Sequence, residues 1–125
     1  MEDSKPERMK EIMKFYKIDD QIVISDKALS VGRELVANTT DGAHEKHVPV
    51  IATRDDSTVV VGVGEVEHPM MEAHYIEWIL LETAQGFQIH YLKPGMKPVA
   101  FFKVNEEVVA AYEYCNLHGL WKAVV

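Results

Sequence analysis

Short runs rich in β-branched and aromatic residues follow one another along this chain, each closed by a polar or Gly/Pro cluster. Lys14 to Ile18 and Gln21 to Ser25 are two such runs, separated by Asp19-Asp20, and that arrangement predicts a hairpin. A turn around Gly32 leads to a short strand near Glu34 to Ala37, and Asn38-Thr39-Thr40-Asp41-Gly42 reads as a linker. Beyond it, strands are expected over Val48 to Thr53 and Thr58 to Val63, on either side of Asp55-Asp56-Ser57. Tyr75 to Glu82 ends at Ala84-Gln85-Gly86 and turns into Phe87 to Leu92. There Phe87, Ile89 and Tyr91 alternate with Gln88 and His90, the period of a half-buried strand. Pro94-Gly95 and Pro98 precede a strand over Val99 to Val104; Asn105-Glu106-Glu107 precedes Val108 to Tyr114, and Leu120 to Val124 forms the last run. Only the first residues depart from this pattern. Ser4 suits a helix cap, Pro6 a first turn, and Met9, Ile12 and Met13 fall at helical spacing. Many short strands after one short helix predict an all-β antiparallel sandwich.

Composition narrows this picture. A chain of 125 residues makes one domain, or one domain with a small appendage. Its apolar share of 47% is ordinary for a globular protein with a real core. A formal net charge of −7 argues against nucleic acid as a partner, because that partner needs basic surface. No apolar run approaches a membrane span. The first residues, Met1-Glu2-Asp3-Ser4-Lys5-Pro6-Glu7-Arg8, are charged and lead into no signal-peptide core. A cytoplasmic protein is therefore expected, and a reduced thiol suits that compartment.

That thiol is Cys115, the single cysteine of the chain, so no internal disulfide can form. His118 stands three residues after it. Taken singly, a histidine is more often a surface or hydrogen-bonding group than a ligand. His90 belongs to that class because it alternates within a strand, and His44 is also set aside. Four others share a setting. His47 precedes Val48-Pro49, His68 precedes Pro69, His74 opens Tyr75-Ile76, and His118 precedes Gly119. Loops at strand ends converge on one point while the sheets hold them rigid. One thiolate with several imidazoles describes a transition-metal site. Gly62-Val63-Gly64 is only superficially like a nucleotide loop, since it lacks a third glycine and a following helix.

Three motifs carry a more specific resemblance. Glu45-Lys46-His47-Val48-Pro49-Val50-Ile51, His68-Pro69-Met70 with His74-Tyr75-Ile76-Glu77-Trp78, and Tyr114-Cys115-Asn116-Leu117-His118-Gly119 with Trp121 resemble the superoxide reductases, in particular the iron domain of desulfoferrodoxin. The resemblance covers Thr40 to Val125. It implies an immunoglobulin-like seven-stranded β-sandwich over residues 41–125, preceded by an extension over residues 1–40. It makes His47, His68, His74 and His118 the equatorial ligands of one mononuclear iron and Cys115 its axial thiolate. The position opposite sulfur is open in the ferrous state. Glu45 corresponds to the carboxylate that closes it after oxidation, and Lys46 to the lysine at the same face. The implied reaction joins ferrous iron, superoxide and two protons to give ferric iron and hydrogen peroxide, with no dioxygen formed. An external donor such as rubredoxin, and a homodimer, are also implied.

The chain departs from the family in one respect. Many desulfoferrodoxins hold a second iron on four cysteines near the N-terminus, and here no cysteine precedes Cys115. Residues 1–40 then read as a shortened, metal-free remnant, whose strands are expected to cover a sheet edge or to help form a dimer. Two other readings compete with the iron enzyme. A structural zinc domain would use the same donors, but zinc takes four of them. A nucleophilic Cys115 with a histidine base would need an oxyanion-hole loop that the sequence does not offer.

Overall fold

Each polar break closes a strand. In the computed structural model, which describes residues 13–41, 46–64 and 67–125, the strands are β1 Lys14–Ile18, β2 Gln21–Ser25, β3 Arg33–Leu35, β4 Pro49–Thr53, β5 Thr58–Val63, β6 Ile76–Thr83, β7 Gly86–Tyr91, β8 Val99–Lys103, β9 Val108–Cys115 and β10 Gly119–Val124. The expected helix before Met13 lies outside the described residues, as do His44 and Glu45. Among the described residues no helix is long and apolar enough to cross a membrane. Every strand pairing is antiparallel.

The strands form three sheets, ordered β2-β1-β3, β10-β9-β6-β7 and β4-β5-β8. The four-stranded and three-stranded sheets at the C-terminal side make the antiparallel sandwich. Val59, Val61 and Val63 of β5 and Ala100 and Phe102 of β8 point inward, where they meet Ile79 and Leu81 of β6 and Ala111 of β9. Alternation sends Phe101 and Lys103 of β8 to solvent.

The N-terminal sheet covers the other side of the four-stranded sheet. Phe15 of β1 packs with Trp78 and Leu80 of β6 and with Ala110, Tyr112 and Tyr114 of β9. Its ring lies 5.9 Å from that of Trp78, nearly parallel, and 4.7 Å from that of Tyr112. Strand β1 thus lies over a face of the four-stranded sheet, where the sequence reading gave an edge or a dimer contact. Asn38 runs along an edge. It bridges to Trp121, accepting from Lys122 N at 2.9 Å and donating from its own N to Leu120 O at 2.9 Å. Strands β6 and β9 are therefore buried on both faces, and that is why Trp78-Ile79-Leu80-Leu81 reads as an unbroken apolar run rather than an alternating one.

Strand β7 keeps the expected period with its faces reversed. His90 lies toward the sandwich core, 4.4 Å from the Phe102 ring. Ile89 packs toward the N-terminal sheet, while Phe87 and Tyr91 are 44% and 72% exposed. The N-terminal sheet covers the middle of this face but not its ends.

Antiparallel pairing brings the site to one end of the sandwich. Cys115, the last residue of β9, lies opposite both Ile76, the first of β6, and Gly119, the first of β10. Pro49 at the start of β4 lies opposite Val63 at the end of β5.

Candidate metal centre

Four imidazoles and one thiol meet at that end. His47 precedes β4, His68 and His74 precede β6, Cys115 ends β9 and His118 precedes β10. One donor atom from each lies within 4.8 Å of all the others. His90 and the described acidic residues stand outside this group. The structure thus brings these five residues together.

The rings form a closed cycle. His47 meets His68, His68 meets His74, His74 meets His118, and His118 meets His47, with centroid separations of 4.6, 4.8, 5.0 and 4.8 Å. Adjacent rings are turned by 66° to 82°. His47 Nε2 is 3.0 Å from His68 Nε2 and 3.2 Å from His118 Nδ1. Cys115 Sγ lies 3.7 Å from His68 Nε2 and 3.9 Å from His118 Nδ1. Cys115, His47 and His68 are buried, whereas His118 is exposed. The sulfur therefore marks the core side of the ring.

This donor set fits a transition metal. Imidazole nitrogens 3.0 and 3.2 Å apart, gathered around one thiol, are the donor types that such an ion takes. His68 shows how one ligand is prepared. Its Nδ1 is 2.7 Å from Pro69 O, which accepts only from a protonated nitrogen. The proton is then fixed on Nδ1, and Nε2 presents its lone pair to the cluster.

Residues beyond the donors hold the loops, and most of them escaped the sequence reading. Asp41 Oδ1 accepts from His47 N and, at 3.2 Å, from Val48 N, which ties the His47 segment to the end of the linker. An aspartate bonding a backbone a few residues on is a recognisable turn habit, but its target is not visible in the sequence. Gly64 has φ +78, and a Cβ there would lie 2.8 Å from Lys46 Cβ and 2.9 Å from Lys46 C. The glycine is needed because the Lys46 main chain passes directly over it. Asn116 acts through its side chain. Its Oδ1 accepts from Tyr75 N at 2.9 Å and its Nδ2 donates to Ala73 O at 3.1 Å, so it grips the chain on both sides of His74.

Glu113 is the least expected member. It shares a strand face with Cys115, two residues along β9, and is fully buried. Neither carboxyl oxygen has a hydrogen-bond partner. Burial, with the charge of Asp41 as a smaller cause, pushes its carboxyl well above the ordinary carboxylate range. Lys46 is half-buried next to His47. Glu45 lies outside the described residues.

Known proteins match this arrangement. Residues 39–124 match the family model described as Desulfoferrodoxin. A desulfoferrodoxin of Clostridium acetobutylicum is 51% identical over 90 residues, covering 72% of this chain and 70% of that protein. A superoxide reductase of Pyrococcus horikoshii is 37% identical over 100 residues, covering 66% of this chain and 87% of that protein. The crystal structure of the superoxide reductase from Treponema pallidum superposes with a TM-score of 0.78 at 31% identity, covering 89% of this chain and 97% of that one. The family match spans more than half of the chain and runs through all five donors, and the chain belongs to the desulfoferrodoxin family.

Proposed function

We propose that this protein is a superoxide reductase, with His47, His68, His74, His118 and Cys115 as the residues that would hold a mononuclear iron. The observation that carries this reading is the closed cycle of four rings with a buried thiol on its core side. Five donors exceed the four that structural zinc takes.

A ferrous iron bound by these residues would supply the one electron that, with two protons, turns superoxide into hydrogen peroxide. The chain prepares the site for that task. Cys115 contributes negative charge from the core side and donates electron density, an effect known from thiolate-ligated haem. His68 is held in one tautomer by Pro69 O. The sandwich fixes the ligand loops, so little reorganisation accompanies the change of charge. Superoxide is an anion and the chain carries a net −7, so long-range attraction is unfavourable. Lys46, anchored over Gly64 beside His47, supplies local positive charge. Glu45, by the family resemblance, would be a further carboxylate ligand of the oxidised iron.

No cysteine precedes Cys115, so residues 1–40 hold no four-cysteine iron. Rubredoxin is the donor the family resemblance implies. The same reading makes residues 1–40 a metal-free extension to a domain over 41–125, and the protein a cytoplasmic homodimer. The test mixes pulse-generated superoxide with the reduced, iron-loaded protein and quantifies both products. Peroxide without dioxygen is expected. Equimolar peroxide and dioxygen would identify a dismutase, and protein purified with zinc alone would remove the enzyme reading.

A further inference from the structure

The two tryptophans of this chain are held in different ways. Trp78 is buried among Phe15, Leu80, Tyr112 and Tyr114, which is how an indole serves a core. Trp121 belongs to neither core cluster and is only partly buried. Its contacts are with the metal cluster. The indole stacks on the His47 ring with centroids 4.6 Å apart and planes 15° from parallel. Its Nε1–H donates to His118 O at 3.0 Å. His47 and His118 are 71 residues apart in sequence, and their facing nitrogens lie 3.2 Å apart.

The root of this side chain is fixed on both sides of its strand. Trp121 pairs with Glu113 of β9 on one side and bridges to Asn38 on the other. The indole therefore transmits the position of β10 to two neighbouring donors at once. It sets the plane of the His47 imidazole, and it anchors the turn that ends at Gly119, which has φ +87. His118 is the exposed member of the cluster, and its turn has the greatest need of such an anchor.

We propose that Trp121 is a positioning residue for the metal centre, orienting His47 by stacking and His118 by the hydrogen bond to its carbonyl. This rests on the assignment of the five donors as iron ligands. Groups that orient metal ligands typically change metal affinity by roughly 10- to 100-fold when removed.

The test uses the iron-loaded full chain and two substitutions. Trp121→Leu removes both contacts; Trp121→Phe keeps an aromatic face for His47 and removes the donor to His118 O. Iron release is timed after adding a ferrous chelator, and the paramagnetically shifted imidazole signals of the ferrous protein are recorded by NMR. Release from Trp121→Leu is expected to be roughly 10- to 100-fold faster than from wild type, with Trp121→Phe between the two. The His47 and His118 signals should move while those of His68 and His74 stay. Release within twofold of wild type in both variants would overturn the proposal, as would imidazole signals that move all together or not at all. If Trp121→Leu fails to fold, Trp121→Phe decides by the same two measurements. A wild-type protein that retains no iron would instead overturn the ligand assignment itself.

Discussion

The two faces of the β10-β9-β6-β7 sheet come from the same strands and are put to different uses. The face toward β1 is closed by large rings, Phe15, Trp78, Tyr112 and Tyr114. The face toward β5 is filled by smaller aliphatic side chains and ends at Cys115. Strand β9 makes the division residue by residue: Tyr112 and Tyr114 point one way, Glu113 and Cys115 the other. A sheet buried on both sides can thus stabilise the fold with one face and place chemistry on the other. The face with chemistry also carries the cost of Glu113, a carboxyl taken out of water without a partner.

This division predicts opposite outcomes for two substitutions. Cys115→Ser has the larger functional effect. Loss of groups that merely orient a ligand costs up to about 100-fold, so losing a ligand itself, the role proposed for Cys115, should lower reductase activity by more than that. The thiolate-to-iron charge-transfer colour should vanish, and a buried hydroxyl should cost the fold about 1–3 kcal/mol. An unchanged visible spectrum of the oxidised protein would show that sulfur is not bound. Phe15→Ala reverses the balance. Truncating a buried phenylalanine typically costs about 3–5 kcal/mol, read as a lower urea midpoint, and the visible spectrum should not shift. A shifted spectrum in Phe15→Ala would mean that the faces are coupled and the division is wrong.

Most of the strand order was legible because turn chemistry in this chain is local. Asp19-Asp20, Asp55-Asp56-Ser57 and Asn105-Glu106-Glu107 each mark a break by their own composition, and β1, β2 and β5 have the predicted bounds. The five donors were legible because their motifs resemble a known family in the right order, and a lone Cys115-to-His118 spacing would have said little. What the sequence hid is contact between distant segments. Nothing near Gly64 announces that Lys46 passes over it. Phe87 and Tyr91 look like inward residues until the N-terminal sheet is seen to cover only Ile89 between them. Residues whose role is set by an approaching segment are silent in a local reading.

Asn116 sharpens the comparison within the functional face. Replacing it by alanine removes the side-chain bonds to Tyr75 N and Ala73 O but leaves its backbone bond to Tyr75 O at 3.2 Å. His74 should lose definition while the other ligands keep theirs. Iron release to a chelator should accelerate by roughly 10-fold, at the lower end of the range for ligand-orienting groups. Unchanged release would show that the backbone bond alone holds this loop.

Lys46 offers the finest test, because its charge and its position can be separated. Lys46→Ala removes the charge and leaves Gly64 free of strain. The encounter with superoxide should slow by roughly 10-fold at low ionic strength, and the difference should narrow as salt screens the interaction over about 10 Å. Iron release should match wild type. Gly64→Ala keeps the lysine but forces a Cβ toward the Lys46 main chain at a position with φ +78. Since His47 follows Lys46 directly, this substitution should slow the encounter and accelerate iron release together. Stopped-flow rates across a salt series, paired with chelator-release rates for the same samples, separate the two cases. If Lys46→Ala also releases iron quickly, the lysine is part of the frame that holds His47 rather than a source of local charge, and attraction of superoxide must be sought in the helix-free loops around the exposed edge of His118.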